Sequence, residues 1–242
     1  MKIAIIGYGK MGHMIESIAL ERGHEITCVI DANPSPALPV REGEKVYSPE
    51  EGFESEGFRS ADVAIEFTTP QTAESNIRKA WQQGVPVVCG STGWNVEELR
   101  DESLEFREVA SGKLIVDKKG KTRLIWKSNF SVGVNIFFEL NKMLAAQMAN
   151  QPQYTPSICE THHIHKLDEP SGTAKTLQEA ISRQLSAISV PVESIREGEV
   201  PGTHVVTWDS EEDTIVITHI AKGRRGFALG AVLAAEEICN IC

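Results

Sequence analysis

Short apolar runs alternate with segments of helical periodicity over the first third of the chain. Each apolar run is uninterrupted, as expected of a strand that is buried on both faces of a parallel sheet. In the segments between the runs, apolar residues recur every three or four positions, which predicts amphipathic helices. The predicted strands are 3–6, 25–30, 63–67 and 85–89, and the predicted helices are 14–23 and 71–83. Repeated strand–helix–strand units predict a doubly wound α/β domain with a parallel sheet.

The rest of this region is less regular. The Pro- and Glu-rich stretch 33–58 has no clear period, and 94–100 has the pattern of a short helix. Two short apolar segments, 114–116 and 122–126, flank a polar turn at 117–121, which predicts a hairpin.

The pattern changes at residue 129, after which a long amphipathic helix is followed by strands of alternating polarity. The predicted helices are 134–148, 173–185 and 227–238, and the predicted strands are 157–163, 192–195, 205–208 and 214–220. This order predicts an α+β domain on a mostly antiparallel or mixed sheet. We expect one domain to comprise 1–128 and 224–242, and the other to comprise 129–223.

Composition excludes several classes of protein. The 242 residues are 41% hydrophobic and 24% charged, which is typical of a globular chain and not of a disordered one. The net charge of −10 argues against nucleic acid as a partner, because an acidic surface repels phosphate. No apolar run approaches the roughly 18 residues of a membrane span, and the first residues lack the cleavage site of a signal peptide. Together with an odd number of cysteines, five, these features predict a cytoplasmic protein without membrane association.

A glycine-rich hexamer, Gly-Tyr-Gly-Lys-Met-Gly at 7–12, directly follows the first predicted strand and precedes the first predicted helix. In a dinucleotide-binding turn, Gly7 permits the tight turn, Gly9 lets the backbone approach a pyrophosphate, and Gly12 allows close packing of helix and strand. The helix N-terminus offers free N–H groups and a partial positive charge to the phosphates, and Lys10 adds a full charge. This context predicts a Rossmann-like domain that binds a dinucleotide.

Asp31 lies at the end of the second predicted strand, 19 residues after Gly12. A carboxylate at this position accepts hydrogen bonds from the adenosine ribose and repels a 2′-phosphate. Ala32 and Asn33 come next, so no arginine follows directly to hold a 2′-phosphate. We therefore expect NADH to bind at least as well as NADPH.

Three of the seven histidines, His162, His163 and His165, lie within four residues, and Lys166 follows them. One interpretation is a metal site, but adjacent residues of a strand point to opposite faces and Lys166 repels a cation. A second is a group of histidines without a chemical function at the end of a strand. A third is a proton-transfer site for an anionic substrate, in which histidine and lysine supply protons and positive charge.

The segment 170–173 favours the third interpretation. Ser171 or Thr173 is expected to cap the helix that follows, and the free N–H groups of its first turn can hold a carboxylate. A cationic cluster and an anion-binding helix terminus thus share one loop, which suits a small dicarboxylate substrate. We expect no metal in the protein.

These motifs resemble the dihydrodipicolinate reductase family over essentially the whole chain. The family's E-x-H-H-x-x-K-x-D-x-P-S-G-T-A loop is present at 160–174, and its G-T-T-G cofactor loop is present as G-S-T-G at 90–93. Its N-F-S-x-G segment is at 129–133, its F-T-x-P segment is at 67–70, and its R-x-x-F-A segment begins at Arg224.

The resemblance implies a homotetrameric NAD(P)H-dependent reductase of lysine and diaminopimelate biosynthesis, which reduces 4-hydroxy-tetrahydrodipicolinate, through dihydrodipicolinate, to tetrahydrodipicolinate. It implies that 1–128 with 224–242 binds the dinucleotide and that 129–223 binds the substrate and makes the subunit contacts. The implied proton-transfer pair is His162 and Lys166. The implied substrate contacts are His163, Lys166, Gly172, Thr173 and Arg224. The implied cofactor contacts are Gly7, Tyr8, Gly9, Lys10, Met11, Gly12, Asp31, Phe67, Thr68, Gly90, Ser91, Thr92, Ser128, Asn129 and Phe130.

Two other functions stay open on the residues alone. One is a nicotinamide-dependent reductase of the same two-domain construction that acts on a different amino or oxo acid, which the stretch 33–58 does not decide. The other is a nicotinamide-sensing protein without catalysis, although a sensor has no need of both His162 and Lys166 beside a substrate site.

Overall fold

The computed structural model describes residues 1–33, 45–109, 112–117, 123–185 and 190–240. The chain forms two compact units, of which the first comprises Met1–Ser131 and Phe227–Cys242 and the second comprises Val132–Gly226. Each boundary lies three residues after the one expected from the sequence. None of the helices in the described ranges is both long and apolar enough to span a membrane.

The first unit is built on a sheet of eight strands in the described part of the chain. The strands are β1 (Lys2–Ile6), β2 (Glu25–Ile30), β3 (Val46–Tyr47), β4 (Val63–Glu66), β5 (Val87–Cys89), β6 (Leu104–Val109), β7 (Gly112–Asp117) and β8 (Arg123–Lys127). Their spatial order is β3-β2-β1-β4-β5-β8-β7-β6, with parallel pairing from β3 to β8 and antiparallel pairing at β7 and β6. β4 and β5 are buried throughout, as is β1 after its first residue, which explains their apolar runs.

Four helices connect these strands in chain order, together with a 3₁₀ helix at Val96–Leu99, within the described ranges. They are α1 (Lys10–Glu21), α2 (Pro49–Gly52), α3 (Glu56–Arg59) and α4 (Pro70–Gln82). α1 and α4 follow β1 and β4 as the crossovers of a parallel sheet require.

The second unit combines two helices with a four-stranded sheet. Its elements are α5 (Val132–Met148), β9 (Thr155–His162), α6 (Gly172–Leu185), β10 (Val192–Arg196), β11 (Thr203–Asp209) and β12 (Thr214–Ile220). The sheet order is β10-β9-β11-β12, in which β10 and β9 are parallel and the other pairs are antiparallel, so the sheet is mixed, as the sequence predicts. α5 and α6 pack on one face of this sheet around Ile158, Val206 and Trp208.

The last helix, α7 (Arg225–Cys239), packs in the first unit. Together with α1 it covers one face of the eight-stranded sheet, in a core that includes Ile18 and Ala231. α2, α3 and α4 pack in a second core that includes Phe58 and Ile77. Helices on both faces of a largely parallel sheet confirm the predicted doubly wound α/β architecture.

Two regions differ from the sequence prediction. The stretch 33–58 was expected to be irregular, yet from residue 45 it holds β3, α2 and the start of α3, because Ser48 and Ser55 cap the two short helices. The strand β6 has no counterpart in the prediction, and it lies at the edge of the sheet with its side chains half-exposed. Residues 34–44 of the irregular stretch and 118–121 of the predicted turn lie outside the described residues.

Candidate active site

The glycine loop between β1 and α1 has the geometry that a dinucleotide phosphate requires. Gly7 has a φ of +94°, and a Cβ added to it would lie 2.4 Å from the carbonyl oxygen of Phe67. A Cβ added to Gly12 would lie 2.4 Å from the carbonyl oxygen of Gly7. At Gly9, the N-cap of α1, an added Cβ would meet no atom within 4 Å, and no side chain of the described residues caps the helix there. The N–H groups of the first turn therefore face open space that an anion can fill.

Asp31 ties the end of β2 to this loop. Its Oδ2 accepts a hydrogen bond from the backbone N–H of Tyr8 at 2.7 Å, and its Oδ1 accepts one from the N–H of Asn33 at 2.8 Å. A carboxylate has about four acceptor positions, so capacity is left for a ribose hydroxyl. The side chain of Tyr8 is buried in the hydrophobic core, so this residue has mainly its backbone to offer a cofactor. Met11 is half-buried, and Lys10 is exposed.

The remaining predicted cofactor residues follow neighbouring parallel strands. Phe67 and Thr68 follow β4, residues 90–92 follow β5, and residues 128–130 follow β8. Since the carboxyl ends of parallel strands share one edge of a sheet, the structure brings these residues to the same edge as the glycine loop. β1 and β4 are neighbours in the sheet, but α1, which follows β1, and α4, which follows β4, pack in different cores on opposite faces of the sheet. Open α/β sheets bind ligands in the crevice at such a point, beyond the carboxyl ends of the strands.

A buried polar network joins the loops after β4 and β5. The backbone N–H of Thr68 donates to the Ser91 hydroxyl at 2.9 Å and to Glu66 Oε1 at 3.1 Å. The carbonyl oxygen of Ser91 accepts hydrogen bonds from the indole N–H groups of Trp94 and Trp126, at 2.8 and 3.0 Å. Ser91 therefore fixes the shape of this edge through contacts within the protein.

In the second unit, His162 is the last residue of β9 and is buried. Its Nδ1 lies 3.5 Å from Oε2 of Glu160, which is buried on the same face of β9. His204 of β11 pairs with Glu160 in the sheet, and its Nε2 lies 3.6 Å from the same carboxylate oxygen. We call these three residues the histidine–glutamate cluster.

Lys166 lies on the loop after β9, where it is half-buried and paired with a carboxylate. Its Nζ is 2.7 Å from Oδ1 of Asp168. Burial by itself would raise the pKa of Asp168, but Lys166 and, less strongly, the backbone of Gly172 hold it below its ordinary value. Arg196 of β10 donates to the carbonyl oxygens of Lys166 and Asp168, at 3.3 and 2.7 Å. The loop thus holds a carboxylate between a lysine and the start of a helix.

Ser171 begins α6. Its hydroxyl accepts a hydrogen bond from the N–H of Ala174 at 3.2 Å, while its own N–H donates to Glu160 at 3.0 Å. Of the two caps that the sequence allows, the structure uses Ser171, and Thr173 lies half-buried in the first turn. A Cβ added to Gly172 would meet no atom within 4 Å, so the start of α6 has room for a carboxylate.

Two other predicted substrate residues are further from these contacts. His163 is half-buried, and its ring centroid is 6.0 Å from that of His165, which is paired with Glu199. Arg224 is exposed, and among the described residues it makes no hydrogen bond or ion pair with the loop after β9.

Burial sets the charges of the histidine–glutamate cluster. It lowers the pKa of His204 to about 4, and it lowers the pKa of His162 against the opposing effect of the Glu160 carboxylate. Burial by itself would raise the pKa of Glu160, but hydrogen bonds from Ser171 and Ser194 hold it below its ordinary value. At neutral pH the cluster therefore contains an ionised carboxylate between two neutral imidazoles.

The same cluster is where a metal ion would find ligands. One ligand atom from each of its three residues lies within 4.8 Å of the others. Against a metal, the guanidinium of Arg196 lies 3.4 Å from Oε1 of Glu160, and its positive charge opposes a divalent cation. The absence of a metal stays a prediction.

Glu160, His204 and Arg196 are site residues to which no sequence motif assigned a role. A signal for Glu160 was present, because the two-residue period of a strand puts it on the same face as His162. His204 and Arg196 are on other strands, opposite Glu160 and His162 respectively. Only the pairing of the strands brings them to the cluster.

Comparison with known proteins identifies the family. The family model for the dihydrodipicolinate reductase N-terminus matches residues 1–111, and the model for the C-terminus matches residues 133–241. The 4-hydroxy-tetrahydrodipicolinate reductase of Christiangramia forsetii is 41% identical over 98% of this chain and 92% of that protein. The one of Archaeoglobus fulgidus is 33% identical over 100% of this chain and 95% of that protein.

The fold is similar to solved structures inside and outside this family. A dipicolinate-bound dihydrodipicolinate reductase from Paenisporosarcina has a TM-score of 0.76 at 20% identity, covering 99% of this chain and 95% of that one. An aspartate semialdehyde dehydrogenase from Vibrio cholerae has a TM-score of 0.56 at 11% identity, covering 98% and 97%. On the family models and the full-length relatives, this chain belongs to the dihydrodipicolinate reductase family, the NAD(P)H-dependent oxidoreductases of lysine and diaminopimelate biosynthesis.

Proposed function

We propose that this chain reduces 4-hydroxy-tetrahydrodipicolinate, through dihydrodipicolinate, to tetrahydrodipicolinate in the cytoplasm. The observation that carries the proposal is the segment 162–173, which combines a buried histidine, a lysine and the open start of α6. We assign dinucleotide binding to the unit that holds the glycine loop, and substrate binding and subunit contacts to the unit that holds this segment. A sensor without catalysis would not need the buried histidine.

The contacts of Asp168 indicate how a dicarboxylate substrate is held. Its carboxylate is paired with the ammonium of Lys166 and is close to the backbone of Gly172. A substrate carboxylate in the same place takes over both contacts, and we assign His163 and Thr173 to the substrate on the family motif. We assign Arg224 to the substrate on the family motif alone.

His162 and Lys166 supply the proton of the reaction. When bound, the nicotinamide supplies a hydride to C4 of the substrate. Because C4 is conjugated with an imine, the electron pair of the hydride becomes negative charge in the substrate ring, and one proton neutralises it. Lys166 also keeps positive charge near this developing negative charge.

The cofactor residues of the first unit fit a dinucleotide. The open N-terminus of α1 at Gly9 receives the pyrophosphate, and Asp31 has acceptor capacity for the adenosine ribose. Because the Asp31 carboxylate repels a 2′-phosphate, we propose that NADH binds at least as well as NADPH. The predicted residues after β4, β5 and β8 line the same edge of the sheet.

We also propose a homotetramer that assembles through the second unit. One face of its sheet packs on α5 and α6, whereas the other presents apolar side chains, with Val216 51% and Ile220 64% exposed. Exposed apolar side chains on one face of a sheet are typical of an interface between proteins. Sedimentation of the wild type as a tetramer, and of Val216→Lys as a smaller species, supports this assembly; a monomeric wild type contradicts it.

The test of the reaction follows NADH and NADPH oxidation with substrate made in situ from pyruvate and aspartate semialdehyde by the preceding synthase. Turnover is expected only with the synthase present, and His162→Gln or Lys166→Met is expected to lower it by about 10²–10⁴-fold. The matched control is His165→Gln, an exposed histidine of the same loop, which is expected to retain turnover. Turnover that survives in His162→Gln and Lys166→Met contradicts the assigned roles, and no turnover by the wild type contradicts the proposed substrate.

A further inference from the structure

The histidine–glutamate cluster buries more polar groups than proton transfer by one histidine requires. Glu160, His162 and His204 are 0%, 7% and 4% exposed. Oε2 of Glu160 lies 3.5 Å from His162 Nδ1 and 3.6 Å from His204 Nε2. The two imidazole rings meet edge to face, with their centroids 5.0 Å apart. One carboxylate oxygen therefore faces a nitrogen of each histidine.

The other oxygen of Glu160 is anchored. Oε1 accepts hydrogen bonds from the backbone N–H of Ser171 at 3.0 Å, the hydroxyl of Ser194 at 2.8 Å and the guanidinium of Arg196 at 3.4 Å. These donors come from the cap of α6 and from β10. The carboxylate cannot turn without losing bonds to both elements, so its free oxygen stays directed at the histidines.

Two of the atoms that face each other in this cluster have unused hydrogen-bonding capacity. In the described part of the chain, Glu160 Oε2 and His162 Nδ1 are buried without a hydrogen-bond partner. Nε2 of His204, the third facing atom, hydrogen-bonds the Ser171 hydroxyl at 3.3 Å. A buried polar atom in this state costs about 1–3 kcal/mol, so it calls for an explanation. Hydrogen bonds between catalytic groups are commonly long before the substrate binds, and the 3.5 Å between Glu160 Oε2 and His162 Nδ1 fits that behaviour.

We infer that Glu160 is a positioning residue for the proposed reaction, on which this inference rests. It holds the Nδ1–H of His162 toward its Oε2, so that Nε2 is the atom that gives a proton to the substrate. His204 packs against the ring of His162 and limits its rotation. A Cβ added to Gly202 would lie 3.2 Å from Nε2, so a side chain there would crowd this nitrogen.

The proton balance of this arrangement is simple. The substrate takes one hydride and one proton, and the proton leaves Nε2 of protonated His162, which is the smaller population at neutral pH because burial lowers the pKa of this imidazole. Glu160 stays ionised throughout and stabilises the charged imidazole. Solvent returns a proton to His162 after the product leaves.

The pH dependence of turnover distinguishes this role from a structural one. Charged or titratable groups face His162 from β9, β10, β11 and its own loop, namely Glu160, Arg196, His204, Lys166 and Asp168. Burial lowers the pKa of His162, and the Glu160 carboxylate raises it. Removing that carboxylate charge lowers the pKa further, so the alkaline limb of kcat/KM, which reports protonated His162, moves to lower pH.

The experiment compares Glu160→Gln and His204→Gln with Glu179→Gln, an exposed glutamate of α6 that serves as the matched control. In Glu160→Gln, kcat is expected to fall by about 10–100-fold, part of what a general acid contributes, and the alkaline limb is expected to shift down by about 1 pH unit. Kd for NADH, measured by fluorescence, is expected to stay within about twofold. Glu160→Asp keeps a carboxylate, so it is expected to recover part of kcat and to move the alkaline limb of kcat/KM part of the way back to its wild-type pH. His204→Gln is expected to lower kcat by about threefold to tenfold and to shift the alkaline limb of kcat/KM by less than Glu160→Gln does.

A second measurement does not depend on activity or on a folded variant of Glu160. Nitrogen NMR of the wild type labelled in histidine, with His162 assigned from the signal lost in His162→Gln, is expected to show the Nδ1–H tautomer. The Nε2–H tautomer overturns the inference, as does a Glu160→Gln enzyme that loses kcat equally at every pH with its alkaline limb unmoved. A wild type without turnover overturns the proposed function, while the tautomer still decides the role of Glu160.

Discussion

Each unit of the chain buries a glutamate completely, and the two differ in what surrounds their oxygens. Glu66, at the end of β4, accepts hydrogen bonds on Oε1 from the backbone and hydroxyl of Thr68 and from the Asn76 amide. Its Oε2 accepts one from the Cys89 thiol at 3.0 Å. Glu160 uses only one oxygen in this way, and its other oxygen faces two imidazoles.

The donors around Glu66 keep their protons. Burial, and next the charge of Glu66, raise the pKa of the Cys89 thiol well above its usual value, so the thiol continues to donate. The imidazoles around Glu160 instead gain a proton as the pH falls, because burial lowers the pKa of His204 to about 4 and lowers that of His162 below its ordinary value. The closed network of Glu66 therefore holds the loops after β4 and β5, whereas the open network of Glu160 is suited to move a proton. Burial of a carboxylate does not by itself indicate catalysis; the titration of its neighbours does.

Replacing Glu66 by leucine is expected to have the largest effect on stability. The donors of Thr68, Asn76 and Cys89 lose a charged acceptor inside the protein, so the free energy of unfolding falls by about 3–5 kcal/mol. Glu66→Gln keeps a carbonyl acceptor and is expected to lose less. Urea unfolding followed by circular dichroism measures both variants. The pH dependence of kcat/KM is expected to stay unchanged in Glu66→Gln. If it shifts as it does in Glu160→Gln, the two networks do not differ in function.

The Glu160 network is expected to weaken in acid. The pKa of His204 is about 4 in the folded protein and about 6.5 in the unfolded chain, so protons bind the unfolded chain more tightly. The stability that neutral His204 provides is complete above pH 6.5 and is lost as the pH falls toward 4. The loss is about 2 kcal/mol by pH 5 and about 3 kcal/mol by pH 4.

Urea unfolding of the wild type and of His204→Gln at pH 7.5, 5 and 4 measures this loss. The variant is expected to show a smaller decrease in the free energy of unfolding. Equal pH dependence in both proteins would show that His204 is not held neutral by the fold.

A smaller effect is expected on nucleotide choice. Asp31→Ser removes the charge that repels a 2′-phosphate, so the ratio of Kd for NADPH to Kd for NADH is expected to fall by about tenfold, or about 1.4 kcal/mol. The matched control is Asp62→Ser. Asp62 directly precedes β4, so it lies at the opposite edge of the sheet from the predicted cofactor residues such as Phe67, which follows β4. Fluorescence titration measures both constants for the wild type and for each variant. An unchanged ratio in Asp31→Ser would exclude Asp31 from the choice.

No effect is expected from removal of metal. Because Arg196 places a positive charge beside Glu160, dialysis against EDTA is expected to leave kcat unchanged. Elemental analysis of the dialysed protein checks that metal has been removed. Activity that is lost on dialysis and returns with zinc would show that the histidine–glutamate cluster binds a metal.

Elements with a strong local signal were predictable. The uninterrupted run at 3–6 and the helical spacing of 71–83 mark β1 and α4, and the glycines at 7, 9 and 12 mark the loop between β1 and α1. Short elements were not predictable, because the two capped turns at α2 and α3 are four residues each and carry almost no periodicity. β6 was not predictable either, because its side chains are half-buried or exposed and the strand forms by pairing with β7.

The chain alone gave its fold class, its glycine loop and its histidine–lysine loop, because each depends on residues that are neighbours in sequence and on the period of a strand or helix. Tertiary structure gave the partners of those residues. The side chain of Tyr8 packs in the core, while its backbone N–H donates to Asp31. His204 lies next to Glu160 because the register of β11 against β9 pairs the two residues. A slip of one residue in that register would turn His204 to the opposite face of the sheet, and no local pattern in the sequence specifies a pairing between strands so far apart along the chain.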